Sequence, residues 1–298
     1  MNYNIIQESR IGGREINQDR AAWLATGDAV LMVVADGMGG HLQGEVAAQL
    51  AVDTVCQRFS REARPRLADP ARFLGDALRH AHESIVRHAA ACRIATHAAP
   101  RTTCIACIVQ DGQASWAHAG DSRLYLVHDR GETHQRVLHT RDHSVVQRMV
   151  DDGMIGPEEA ARHPLRNRVF SCLGGATEPR IDLSDPVSLQ HGDLIALCTD
   201  GAWSPLGDAL ATELARSPLT STVPNLLDAA ERAAGPGADN LTLIAMRWEA
   251  PDPDVPTITL RAGEFDAQAL PQISDDDIER AVADIRGRLP HATTGVSS

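Results

Sequence analysis

Residues 29–35 (AVLMVVA) form an unbroken apolar run, the pattern of a strand covered on both faces. The run stops at Asp36-Gly37-Met38-Gly39-Gly40, where glycine permits a tight backbone turn. From Gly44 to about Phe59 the apolar positions recur at helical spacing (Val46, Ala47, Leu50, Val55, Phe59), and Asp69 to about Ala91 repeats the pattern with Phe73, Leu74, Leu78 and Ile85. Two long amphipathic helices are predicted. Three strand-like segments follow at 103–110, 113–119 and 123–127, joined at Asp111-Gly112 and at Gly120-Asp121-Ser122, which predicts an antiparallel meander. The stretch 141–164 reads as two short helices, the first carrying Val145, Val146, Met149 and Val150 and the second opening at Pro157. Residues 166–175 make an irregular, glycine-ended connection, a candidate flap. Strands return at 193–199 and 241–247, with helical material between them from about 206 to 234. Helices in blocks and strands in meanders, without strict alternation, predict an α+β architecture.

After Trp248 the chain changes character. The stretch EAPDPDVP is a semi-rigid acidic linker, so a compact domain is expected over 1–248 and a tail over 249–298. The tail predicts one amphipathic helix, with Ser274 as N-cap, Asp275 to Asp277 in its first turn, and Ile278, Val282, Ile285 and Leu289 on one face.

Composition narrows the function classes. A chain of 298 residues with 43% hydrophobic content can bury a sizeable core, and 3% aromatics makes that core aliphatic, which argues against base stacking. Acidic residues outnumber basic ones by 40 to 28, a formal charge of -12, opposite to what a phosphate-backbone binder needs. No apolar run approaches the roughly 20 residues that span a bilayer, and the opening MNYNIIQE lacks the order of a signal peptide. The expectation is a cytoplasmic monomer without nucleic-acid or membrane partners. Six scattered cysteines suit reduced, buried thiols. Cys104 and Cys107 form a CxxC, but within a strand their sulfurs face opposite sides, so core packing is expected of them. Every Lys/Arg position is Arg, which removes Lys-based Schiff-base chemistry.

The informative feature is one local grammar used three times. VVADG at 33–37, LCTDG at 197–201 and ADNLTL at 238–243 each set an Asp at the edge of an apolar strand, twice with Gly next. A rigid strand holds such an Asp, and the Gly lets a metal, water or phosphate approach the backbone. Any one Asp-Gly is most often a turn; three acids converging would make an all-oxygen site for a hard cation.

Six pieces stand in order along the chain: Gly13-Arg14 to Asn17-Gln18-Asp19, the VADGMGGH of 34–41 with Gly44 and Glu45, the AGDSR of 119–123, the RDHS of 141–144, Asp193 through Thr199-Asp200-Gly201, and the ADNLT of 238–242. Together they resemble the type 2C metal-dependent protein serine/threonine phosphatases in their compact bacterial form, over about residues 5–248. The resemblance implies an αββα four-layer sandwich, two antiparallel sheets flanked by helices, with metals in a cleft at one edge. It implies two Mn2+ or Mg2+ ions, with a third, weaker one. Asp36 would bridge the two, the Gly37 carbonyl would ligate the second, and Asp200 and Asp239 would hold the first. Arg14 would bind the substrate phosphate, so Arg14, Asp36, Asp200 and Asp239 form the implied catalytic set, attacking with metal-activated water. Asp19 would support the second metal through water. Asp121 is either a hairpin turn residue or a ligand of the third metal, the two readings being equal on the sequence. The implied substrates are proteins bearing phosphoserine or phosphothreonine, and the implied partner is a bacterial Ser/Thr kinase whose action is opposed.

The chain departs from the family pattern twice. Gln18 stands where the family usually has Glu, so one charge supporting the second metal is lost. Met38 occupies the position where many eukaryotic members carry a His, which leaves protonation of the leaving group to a metal-bound water or to His41, itself a candidate structural residue of the glycine turn. A silent phosphoprotein-binding scaffold is disfavoured because Asp36, Asp200 and Asp239 are all present. Hydrolysis of small phosphoesters remains an alternative, since the sequence shows no dedicated specificity pocket.

Overall fold

The computed structural model describes residues 1–38, 43–128, 136–207, 209–215 and 218–249. The chain divides into two units, Met1–Thr257 and Ile258–Ser298. The second unit lies outside the described residues, as do the expected tail helix and Gly39, Gly40 and His41.

The strands are β1 (Asn2–Arg10), β2 (Asp19–Ala25), β3 (Ala29–Met38), β4 (Arg101–Thr102), β5 (Cys104–Gln110), β6 (Gln113–Ala119), β7 (Arg123–His128), β8 (Arg136–His139), β9 (Asp182–Leu183), β10 (Val187–Ser188), β11 (Leu194–Cys198) and β12 (Leu241–Glu249). The helices are α1 (Gly44–Glu62), α2 (Pro70–Ala91), α3 (Val145–Asp151), α4 (Pro157–Ala160), α5 (Asp200–Trp203), α6 (Ala209–Leu214) and α7 (Leu219–Ala234). One sheet runs β1-β12-β11-β7-β8; the other runs β10-β6-β5-β3-β2, with β4 attached to β3 and β9 to β6. Every pairing is antiparallel.

The apolar runs are explained by three stacked core layers. Along β3, Leu31, Val33 and Ala35 pack on α1 and α2, whereas Val30, Met32 and Val34 enter the layer between the sheets. Strand β11 divides in the same way, with Ile195 and Leu197 between the sheets and Leu194, Ala196 and Cys198 packed with residues of α6 and α7. A strand buried on both faces shows no alternation, which is why these read as continuous runs. Helices therefore cover the outer face of both sheets, as the αββα expectation required. Cys104 joins the helix-side layer and Cys107 the inter-sheet layer, so their side chains diverge as expected; Cys92, by contrast, is exposed. Asp69 caps α2 by accepting from the Arg72 N–H at 3.0 Å. No helix among the described residues is long and apolar enough to cross a membrane.

The predicted meander needs correction. β5 and β6 do form a hairpin, but β7 pairs with β11 and β8 in the other sheet. Gly120-Asp121-Ser122 is therefore a crossing between sheets, and Asp121 is not a hairpin turn residue. Gly120 makes the corner with φ of +116°, where a Cβ would lie 2.5 Å from the Thr103 side chain.

Candidate active site

The acids singled out in the sequence arise at one end of the sandwich. Asp19 opens β2 and stands opposite Asp36 of β3 in the ladder register. Asp200 follows β11, and Asp239 lies just before β12, the strand paired to β11. Asp121 sits at the crossing from β6 to β7. Both sheets thus contribute carboxylates to one place.

Hydroxyl side chains fix the geometry. Thr199 donates its Oγ1 proton to Asp19 Oδ2 at 2.9 Å and accepts the Thr242 N–H at 3.0 Å, tying the two sheets together under the acids. Thr103 Oγ1 accepts the Asp36 N–H at 3.1 Å, and the Asp36 carbonyl accepts from the Thr103 N–H at 2.9 Å and from the Thr102 hydroxyl at 2.8 Å. Gly201 is required because the Asn240 carbonyl would lie 2.1 Å from any Cβ there. Gly37 meets the same constraint against the Gly44 carbonyl at 2.2 Å, so β3 and the start of α1 are in close backbone contact.

The carboxylates act on one another. Burial above all, then Asp200 and Asp19, holds Asp36 well above the ordinary carboxylate range. Burial also pushes Asp19 up to about 7, with Asp200 and Asp239 adding to it against the pull of hydrogen bonds from Thr242 and Thr199. Asp200 is pushed up to about 6 by burial and Asp239, against a hydrogen bond with Asp36. Asp121 is raised by burial and by Asp200. So many acids are held together at a cost unless a cation neutralises them. Asp19 Oδ1 and Asp200 Oδ1 are buried oxygens with no hydrogen-bond partner. An all-oxygen donor set with partnerless buried oxygens fits hard divalent cations such as Mg2+ or Mn2+.

Arg14 lies on the loop between β1 and β2, its Nη2 donating to Asp239 Oδ2 at 2.7 Å, with 56% of its side chain exposed. The loop is strapped down by Asn240, which sequence reasoning missed. Asn240 Nδ2 donates to the carbonyls of Ile11 (2.8 Å) and Ile16 (3.1 Å), and its Oδ1 accepts the Gln18 N–H at 2.8 Å. Its place beside Asp239 in the strand-edge motif was the available signal. Gln18 Nε2 donates to Glu45 Oε2 at 3.2 Å, so the neutral amide at this position is bonded to an acid at the start of α1.

Behind the Asp121 corner lies a second group that the sequence did not bring together. Stacked, buried His118 and His143 have ring centroids 4.6 Å apart, and His143 Nε2 is 3.2 Å from Asp182 Oδ2. His143 also accepts the Gly120 N–H through Nδ1, at 3.3 Å, and its own N–H donates to the Gly120 carbonyl at 2.9 Å. This group clamps the crossing that carries Asp121. The near-parallel rings, tilted by 24°, suit stacking rather than shared ligation of one ion.

The chain is similar in sequence and in fold to proteins already known. The Protein phosphatase 2C family profile matches residues 6–235. The serine/threonine protein phosphatase PstP of Mycobacterium tuberculosis is 32% identical over 223 residues, 72% of this chain and 40% of that protein; the chain thus matches well under half the length of this relative. Among solved structures, serine/threonine phosphatase Stp1 from Staphylococcus aureus superposes with a TM-score of 0.74 at 25% identity, covering 84% of this chain and 96% of that one. The catalytic domain of PstP in complex with 2 manganese ions superposes with a TM-score of 0.68 at 27% identity, covering 83% of this chain and 99% of that one.

Proposed function

This chain belongs to the protein phosphatase 2C family, and from that premise we propose that it hydrolyses phosphoserine and phosphothreonine on proteins with water activated between divalent cations. The observation that carries the reading is the convergence of Asp19, Asp36, Asp200 and Asp239 from both sheets, with buried oxygens of Asp19 and Asp200 lacking a partner.

In this reading Asp36, Asp200 and Asp239 supply charged oxygens and the Gly37 carbonyl a neutral one. Asp19 would support the second ion through water, and Asp121 would help to hold a third, weaker one. Two Mn2+ or Mg2+ ions, the number carried by the PstP catalytic domain in its manganese complex, would lower the pKa of a shared water and neutralise phosphoryl charge. Arg14 presents a planar fork matched to two phosphate oxygens, and its exposure leaves it free to exchange Asp239 for the substrate. No side chain needs to form a covalent phosphoenzyme. The expected partners are phosphorylated proteins and the bacterial Ser/Thr kinase that makes them.

Asp36→Ala, Asp200→Ala and Asp239→Asn should each abolish most Mn2+-dependent phosphate release from a phosphothreonine peptide while the protein stays folded, because each removes a charge from a mutually repelling cluster. EDTA should silence the wild type. Near-wild-type turnover in any of the three variants, or full activity in a demonstrably metal-free preparation, would sink the assignment.

A further inference from the structure

A cavity of about 520 Å³ shares Asp121 and Asp200 with the acid cluster. That volume is within the range of sites that seat a ligand or a few residues of a peptide, roughly 300–1,000 Å³. Its outer wall is the segment that carries α3 and α4, through Val146, Val150, Pro157, Ala160 and Ala161. Trp203 of α5 lines the cavity as well.

The charges at its base are already committed to one another. Arg123 donates through Nε and Nη2 to the two oxygens of Asp142, at 2.8 and 2.9 Å, and its guanidinium carbon sits 3.5 Å from the Trp203 ring centroid. Trp203 Nε1 in turn donates to the Asp121 carbonyl at 3.0 Å. A bidentate ion pair stacked on an aromatic ring has its charge and its donors satisfied, so it offers a ligand little unmet polarity. Glu158 and Arg166 are exposed residues of opposite sign on the lining and balance each other, so its net charge is the acidic one of Asp121 and Asp200. Away from Asp121 and Asp200, and beside the polar Gln147, Asn167 and Ser204, the larger part of the lining surface is apolar: Val146 and Val150 of α3, Pro157, Ala160 and Ala161 at α4, and the part of Trp203 that Arg123 leaves uncovered.

We propose that this cavity is a specificity subsite that takes a large aliphatic side chain flanking the phosphorylated residue of the substrate protein. The inference rests on the phosphatase reading. Because the cavity shares Asp121 and Asp200 with the acid cluster, a peptide whose phosphate lies at that cluster has its neighbouring residues at the cavity mouth. The phosphate and the metal-binding acids then give affinity for any phosphoresidue, and the apolar cavity selects among sequences. The small, dispersed apolar side chains of α3 and α4 made this invisible in the sequence.

The test uses the full chain with saturating Mn2+ and a set of phosphothreonine peptides carrying Leu, Ala or Asp at each flanking position in turn. At one flanking position Leu should exceed Ala in kcat/KM by about 10-fold or more, the discrimination typical of an apolar pocket, and Asp should be the poorest. Val150→Asp, which charges the wall, and Ala160→Leu, which fills it, should each bring the Leu-to-Ala ratio toward one. 4-Nitrophenyl phosphate, which has no flanking residue, reports on the metal centre separately. If the wild type hydrolyses that ester and all the peptides, yet no flanking position changes kcat/KM by more than about twofold, the subsite is overturned while the phosphatase reading stands. If either variant keeps the full Leu preference, the subsite lies elsewhere and the proposal fails. If no substrate is hydrolysed by metal-loaded protein, the phosphatase reading falls and takes this inference with it.

Discussion

Gln18 is the side chain expected to tune metal affinity at the proposed site. Its amide donates to Glu45 at 3.2 Å, while its backbone N–H is held by Asn240 and its carbonyl accepts the Gly37 N–H. Position 18 is thus fixed between the loop that carries Arg14 and the end of β3 that carries Asp36. Gln18→Glu would set two carboxylates against each other at that spot, an arrangement that a cation relieves. We therefore expect Gln18→Glu to tighten Mn2+ binding, read by calorimetry, by about 10-fold or more, the size of effect a supporting residue around a metal commonly has. An unchanged dissociation constant would mean that residue 18 serves Glu45 rather than the metal shell. At this scale the sequence was most legible where chemistry coincides with strand ends: Asp36 and Asp200 stand out because apolar runs stop at them, and Asp239 because one begins just after it. Asn240 and Thr199 did not stand out. Their work is done through partners such as Gln18, 222 positions from Asn240, and Asp19, 180 positions from Thr199, and no local pattern encodes such contacts.

Elements whose two faces are both buried announced themselves, and elements with one half-exposed face did not. β11 and most of β3 and β5 are continuous apolar runs, whereas β1, and β2 beyond the buried Asp19, mix half-buried and exposed residues in patterns that follow neither a strand nor a helix cleanly. The misreading of β7 has a related cause. A strand buried on both faces looks the same in either sheet, and a three-residue link with a glycine serves a hairpin or a crossing equally well. The loop between β1 and β2 depends on Asn240 in the same non-local way, with Gly12 and Gly13 packed against the 236–239 backbone so closely that a Cβ at either would clash. Asn240→Ala removes three hydrogen bonds to this loop and leaves partly buried backbone groups unpaired, a loss of about 1–3 kcal/mol. Tm should fall by roughly 3–10 °C. The kcat/KM on a phosphothreonine peptide should fall further than stability alone explains, because Arg14 and Gln18 are no longer held. A variant with wild-type melting and wild-type turnover would show that the loop keeps its place without Asn240.

For the molecule as a whole, the layered α+β architecture followed from the blocks of helices and strands, while the αββα arrangement came with the family resemblance rather than from periodicity. β12 is fully paired with β1 along its length, and the apolar pattern of the domain ends with it, so a chain ending at residue 249 should hydrolyse 4-nitrophenyl phosphate at the full-length rate; loss of that activity would make the tail part of the catalytic unit. The acid cluster bears on global stability through protons. Asp19 and Asp200, raised to about 7 and about 6, bind protons in the folded state between the ordinary carboxylate value of about 4 and those values. Their contribution to stability therefore declines as pH rises through that window. His82, His118 and His143 are lowered by burial and act in the opposite sense, contributing more as pH rises toward the ordinary imidazole value of about 6.5. The melting profile without added metal mixes the two. The gain in Tm produced by Mn2+ over EDTA separates them, because the histidine contributions are common to both conditions and cancel, whereas a cation must displace the protons held on Asp19 and Asp200. At a fixed Mn2+ concentration that gain should be small near about pH 5 and grow through the interval from about pH 6 to about pH 7, as Asp200 and then Asp19 give up their protons. Asp19→Asn, which keeps the shape but removes the carboxyl held at about 7, should shrink the gain and move its rise to lower pH. A gain that is the same at every pH would place the cations away from Asp19 and Asp200 and would require a different set of ligands.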